Sequence, residues 1–266
     1  MDIYWLEQTE ADVPAEDQWL SAKETICLGD MRFAKRRADW RLGRWTAKHA
    51  LAACLNLPTD PHALANLEIR AASSGAPEVL LHGQPADIAI SLSHRAGMAL
   101  CIVGAPGTNF GCDLETIEPR SDAFVADYFT ANEKALIARA SVEWRPLLVA
   151  LLWSGKESAL KALRVGLRLD TRSMCVSPGD RWPQAAGSWQ DLCAPPRLAT
   201  NFDTWHPMRV RYSDTQTFSG WWRFQDDLVR TVVSDPPLRA PLHARKTNSM
   251  GESRPHPSSR LATAPL

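Results

Sequence analysis

The spacing of apolar positions changes along the chain, and each change marks an element. Over residues 31–55, Phe33, Trp40, Leu42, Trp45, Leu51 and Leu55 recur on one side with basic residues between them, which predicts a helix. A stretch rich in turn formers follows, with Pro58, Pro61, Ser73, Ser74, Gly75 and Pro77. The period then falls towards two. Strands are expected at 78–82 and 88–93, from Met98 to Val103 ahead of the Gly104–Gly107 turn, and at 110–115. Thr130 and Glu133 make a capping box that opens a helix at 131–140. A longer helix is expected over 144–164, with Gly166 as its stop. Short strands return at 171–176, 208–213, 217–224 and 228–233.

The pattern then ends. From Asp235 the chain carries six prolines and five basic residues against two acidic ones, with few large apolar groups, so 235–266 is expected to be a disordered tail. Trp45-Thr46-Ala47-Lys48 and Trp153-Ser154-Gly155-Lys156 are alike, each inside a helix that belongs to a helix-plus-strands block. This echo points to two halves of similar build, 1–106 and 107–234, that meet near residues 104–110.

Composition narrows the classes. The 266 residues suffice for one large domain or two small ones. Thirty basic residues balance thirty acidic ones, which argues against a dedicated nucleic-acid binder. The polar-broken stretch from Met1 to Leu20 does not read as a signal peptide, and the longest apolar run, Leu147 to Trp153, is too short to span a bilayer. Six scattered cysteines without a C-x-x-C pair read as reduced thiols of a cytoplasmic protein. The eleven tryptophans are spread out, as core or interface filler would be.

Four clusters carry candidate chemistry. In Gly111-Cys112-Asp113-Leu114-Glu115, strand alternation sets Asp113 and Glu115 on one face. Their mutual repulsion would be relieved by a cation, and oxygen donors favour Mg²⁺ or Mn²⁺; a solvated polar strand face is the other reading. Glu157 and Lys161 stand at i and i+4 on the long helix, where a plain surface pair is the alternative. Ser93 and His94 end a strand, where they could donate to phosphate oxygens or simply form a turn. Arg37, Arg41, Arg44 and Lys48 step along one helical face, a basic ridge for a polyanion or an ordinary solvated surface.

In this order, the basic helix from Arg36 to Lys48, Ser93-His94, Gly111 to Glu115 and Trp153 to Lys161 resemble the 4′-phosphopantetheinyl transferase family, in its larger, synthetase-activating Sfp type. The likeness covers roughly residues 30–165, and its last two motifs are the specific ones. It implies an α+β fold of two similar halves, each a small antiparallel sheet packed on a long helix, with the active site in the cleft between them. It also implies a reaction: coenzyme A gives its 4′-phosphopantetheine arm to a serine of an apo acyl or peptidyl carrier protein, and adenosine 3′,5′-bisphosphate leaves. By that likeness Asp113, Glu115 and Glu157 hold Mg²⁺ (or Mn²⁺), and Glu157 helps remove the serine proton. Lys161 meets the pyrophosphate, Ser93 and His94 bind coenzyme A phosphates, and Arg37, Arg44 and Lys48 hold the 3′-phosphate region.

The likeness has gaps. Gly75-Ala76-Pro77 lacks the family's basic residue in this turn, and Arg95 replaces its usual Ser after Ser-His. Phe124, Tyr128 and Phe129 are candidates for an apolar carrier-docking patch or for core. A monomer is expected, with no nucleic-acid or membrane partner. The competing activities are another metal-dependent phosphoryl transfer or nucleotide hydrolysis, and RNA binding through the basic ridge.

Overall fold

Alternation in the strand 98–104 sorts Leu100 and Ile102 to one face and Cys101 and Val103 to the other, and all four are buried. A strand buried on both faces needs cover on both. The computed structural model, which describes residues 2–165, 169–179, 202–213 and 216–244, shows that cover. The first half contributes β1 (Tyr4–Thr9), α1 (Ala22–Gly29), α2 (Ala34–Leu55), α3 (Pro61–Ala65), β2 (Leu67–Ala71), β3 (Pro77–Leu81), β4 (Gln84–Pro85), β5 (Ala89–Arg95) and β6 (Met98–Gly104). Then follow β7 (Asn109–Thr116), α4 (Asp122–Tyr128), α5 (Ala131–Arg139), α6 (Arg145–Ala162), β8 (Cys175–Ser177), β9 (Phe202–Arg211), β10 (Thr217–Gln225), β11 (Leu228–Asp235) and β12 (Leu242–His243).

Three sheets result among the described residues. One runs β12-β1-β6-β5, one β7-β11-β10-β9-β8, and β2-β3-β4 form a small third. Ala47, Ala50 and Leu51 of α2 pack with Leu6, Ile90, Cys101 and Val103 on one face of the first sheet. On its other face, Ile3, Trp5, Leu100 and Ile102 meet Phe110, Cys112 and Val232 of the second sheet. The far face of the second sheet takes α6, whose Leu148, Leu151 and Leu152 share a core with Met208, Val210, Phe218, Val229 and Val233. The strand direction into the second sheet changes at the 105–108 turn, and β5 lies beside β7.

The two long helices are anchored alike. Lys48 is fully buried on α2 and its Nζ lies 2.6 Å from Glu24, the third residue of the Ser21 capping box of α1. It also donates to the carbonyls of Trp19 and Leu64, while the Ile69 amide donates to Glu24. Lys156 is equally buried on α6, with Nζ 2.8 Å from Glu133, the third residue of the Thr130 capping box of α5. It donates to the carbonyls of Thr171 and Met174, and the Val176 amide donates to Glu133. A buried charge is tolerated only with a partner and its remaining hydrogen bonds made, and both lysines have both.

Two expectations need correction. The tail does not begin at Asp235: Leu242 and His243 pair in parallel with Tyr4 and Trp5, and Ala244 is buried. Few apolar groups suffice here because β1 offers an unfilled edge, and strand pairing rests on the backbone. Residues 245–266 lie outside the described residues, as does Gly166. The expected strand 171–176 opens instead as a single tight helical turn, Thr171–Ser173, held by the Asp170 cap, before β8.

Candidate active site

Gly111 decides how close the carboxylates come. It faces α6, and a Cβ there would lie 2.7 Å from the Ala162 nitrogen and closer still to the Ser158 carbonyl. Only glycine lets the helix lie directly on β7. On the other side Ser154 and Ser158 share hydrogen bonds with the Thr231 hydroxyl at 2.8 and 2.7 Å, and Thr231 is the ladder partner of Asp113. These contacts fix the position of α6 relative to β7 and bring Glu157 and Lys161 to Asp113.

The sequence-predicted core of the site does assemble. Lys161 Nζ donates to Asp113 Oδ1 and to the Cys112 carbonyl, each at 2.9 Å. Ser93 Oγ crosses from β5 and donates to the same Asp113 oxygen at 2.9 Å. Two residues earlier, Ser91 Oγ accepts from the Cys112 amide at 3.0 Å, so the two serines staple the sheets together at the site. Asp113 Oδ2 and Glu157 Oε1 are buried without a hydrogen-bond partner among the described residues. Burial, with the Asp113 charge next and Glu115 adding to it, pushes the Glu157 carboxyl up to about 7 against the pull of Lys161. Lys161 is lowered by burial, but Asp113, Cys112 and Glu157 outweigh this and hold it above its ordinary value.

Glu115 is placed differently. Trp153 Nε1 donates to it at 3.1 Å, and Arg95 and Arg120 flank its other oxygen at 3.6 and 3.4 Å. Burial and Asp113 raise its pKa, with the two arginines opposing. Arg95 also reaches Thr116 and Glu118. Among the described residues no three metal-binding side chains converge as a ready cluster. The orphaned oxygens of Asp113 and Glu157 are nevertheless of the hard type that Mg²⁺ prefers, and their chemistry fits that ion.

Beside the cluster lies a pocket of about 390 Å³. Arg44, Arg70, Lys161 and Arg164 line it with Ser91 and the Gly75–Pro77 turn, and among the described residues no carboxylate does. Arg44, one of the residues expected to hold the 3′-phosphate region, lines this pocket, partly paired with Glu24 at 3.7 Å and stacked on Trp40. Lys48 and Arg37 do not. Lys48 is consumed by the buried Glu24 clasp, and Arg37 donates to the Leu28 carbonyl at the end of α1. Neither lines the pocket. Elsewhere on the ridge Arg41 pairs with Asp17, and Lys35 with Asp39. Helical spacing alone does not distinguish a solvated face from one that ties down neighbouring loops. Arg70 and Arg164, on a strand edge and past a helix end, carry no periodic signal, and sequence reasoning missed them.

His94 points away from the Ser91–Ser93 side, is exposed, and lies within the electrostatic reach of Lys161, Asp113, Lys35 and Asp39. Partial desolvation lowers its pKa, with Asp39 opposing. Phe129 is core, whereas Tyr128 is 40% exposed and stacks with Phe124 and Trp153 at 4.9 and 5.1 Å. Trp153 therefore links that aromatic face to Glu115.

A lysine paired with Asp113, with Glu157 within its electrostatic reach and a cation-lined pocket alongside, is the layout of a site that handles phosphates. Residues 109–223 match the family model of the 4′-phosphopantetheinyl transferase superfamily. Among solved structures, a crystal structure of Helicobacter pylori holo-[acyl-carrier-protein] synthase in complex with coenzyme A aligns at 18% identity and a TM-score of 0.31, covering 39% of this chain and 98% of that one. No curated protein matches the chain. Among the described residues no helix is long and apolar enough to cross a membrane.

Proposed function

We propose that the protein converts an apo acyl or peptidyl carrier protein to its holo form, with coenzyme A as donor and Mg²⁺ at the site. The observation that carries this reading is the convergence of Asp113, Glu157 and Lys161 beside the cationic pocket. The serine oxygen of the carrier attacks the pantetheine-side phosphorus, a P–O bond of the pyrophosphate breaks, and adenosine 3′,5′-bisphosphate leaves. Glu157 helps to remove the serine proton. Lys161 places its positive charge where negative charge grows on the pyrophosphate, and Asp113 and Ser93 hold Lys161 and the sheet edge in register. Mg²⁺, held by Asp113 and Glu157 with Glu115 as the third carboxylate, would neutralise the pyrophosphate.

We read the fold as two copies of one α+β unit, 1–106 and 107–234, of the larger Sfp type, with the site between them. The matching Lys48–Glu24 and Lys156–Glu133 clasps support this reading. The Phe124–Tyr128 face is the carrier's side. The protein acts as a monomer in the cytoplasm. Release of adenosine 3′,5′-bisphosphate tests the proposal: it should require Mg²⁺ and a carrier with its acceptor serine intact. Nucleotide breakdown without any carrier would instead indicate a hydrolase.

A further inference from the structure

Of the four cations lining the pocket, three are engaged. Arg44 pairs with Glu24, Arg70 with Glu78 at 2.9 Å, and Lys161 with Asp113. Arg164 makes no ion pair with any described residue, although it lines the pocket and is exposed. Its backbone is unusual as well. It follows the last turn of α6 in the left-handed region, at φ 57°, where its amide donates to the Lys161 carbonyl and the next amide, Val165, donates to the Leu160 carbonyl. Glycine or asparagine is favoured at such a helix end, because a side chain there is strained. An arginine kept in a strained position, three residues after Lys161 and beside the same pocket, suggests that its charge has a use. The negative end of the α6 dipole also lies here, so an anion could settle near this end only against added positive charge.

Coenzyme A carries two separate anionic groups, its pyrophosphate and its 3′-phosphate. Lys161 is already tied to Asp113 and the Cys112 carbonyl. The basic residue expected in the Gly75–Pro77 turn is Ala76, and Lys48 and Arg37 are used elsewhere. On the reading of the site given above, we infer that Arg164, flanked by Arg70, is the residue that selects a donor bearing a 3′-phosphate. A guanidinium binds a phosphate through two parallel hydrogen bonds and needs no other partner to do so.

Calorimetric titration of the full chain with coenzyme A and with 3′-dephospho-coenzyme A, in Mg²⁺, tests this. Arg164→Gly should weaken coenzyme A binding about tenfold, the loss expected for one charge-assisted contact, and leave dephospho-coenzyme A within about twofold. Arg164→Lys should recover most of the loss. The melting temperature of Arg164→Gly should hold or rise by about 2–4 °C as the strain is relieved, which a merely structural role would reverse. Equal weakening towards both donors, or no weakening, overturns the assignment while leaving the transferase reading intact. A wild-type protein that binds neither donor overturns both.

Discussion

Replacing Glu157 with glutamine should strengthen the fold of the metal-free protein while abolishing transfer. Glu157 Oε1 is buried without a partner, and the carboxyl is raised from 4.5 to about 7, first by burial and then by Asp113. A carboxyl with a raised folded-state pKa destabilises the fold once it ionises. The penalty is absent below pH 4.5, grows as pH rises through the interval to about 7, and is complete above it. The full interval corresponds to a ceiling of about 3 kcal/mol at about 1.36 kcal/mol per pH unit. The side chain is partly open to water, so roughly 1–2 kcal/mol should be realised. Glutamine keeps the shape without the charge. In urea unfolding with chelator at pH 8, Glu157→Gln should therefore be about 1–2 kcal/mol more stable than wild type, a rise of roughly 2–8 °C in melting temperature. The gain should vanish at pH 4.5. Saturating Mg²⁺ should stabilise wild type more than the variant, since a ligand stabilises only the state that binds it. A variant less stable than wild type at pH 8, or a gain that persists unchanged at pH 4.5, would refute the account of this carboxylate.

Three further outcomes follow from the geometry. Lys48→Met should cost about 3–5 kcal/mol in chemical denaturation, because it strands the buried Glu24 charge, and Lys156→Met should do the same through Glu133; a loss below 1 kcal/mol from either would show that the clasp carries no weight. Gly111→Ala should push α6 off β7, cost about 1–3 kcal/mol and reduce kcat far more than that stability loss explains, so a fully active alanine variant would contradict the close approach. Ser93→Ala should raise KM for coenzyme A only slightly but lower kcat, since its hydroxyl serves Asp113 rather than a phosphate; a rise in KM alone would make it a ligand contact.

Much of this was legible in the chain. The Thr130 capping box, most of the period-two strands and the two long helices lie close to where patterning put them, because each depends on neighbouring residues. The carboxylate strand and the Glu157–Lys161 helix face were legible as motifs, and the structure brings them together through Gly111 and Thr231. Long-range burial was not legible. Lys48 reads as one more charge on a basic helix face, and only the fold reveals that Glu24 lies beneath it. β1 was missed because Trp5, Leu6 and Gln8, buried on both faces, break the alternation. β12 was missed because its partner is more than 230 residues away, at Tyr4.

The central claim is that this site moves a phosphopantetheine arm onto a carrier serine. Intact-mass measurement of apo carrier proteins incubated with the enzyme, Mg²⁺ and coenzyme A tests it most directly. Wild type should add about 340 Da to at least one carrier, and Asp113→Ala, still folded, should add nothing. An unchanged mass across a broad carrier panel with wild type, or full transfer by Asp113→Ala, would contradict it.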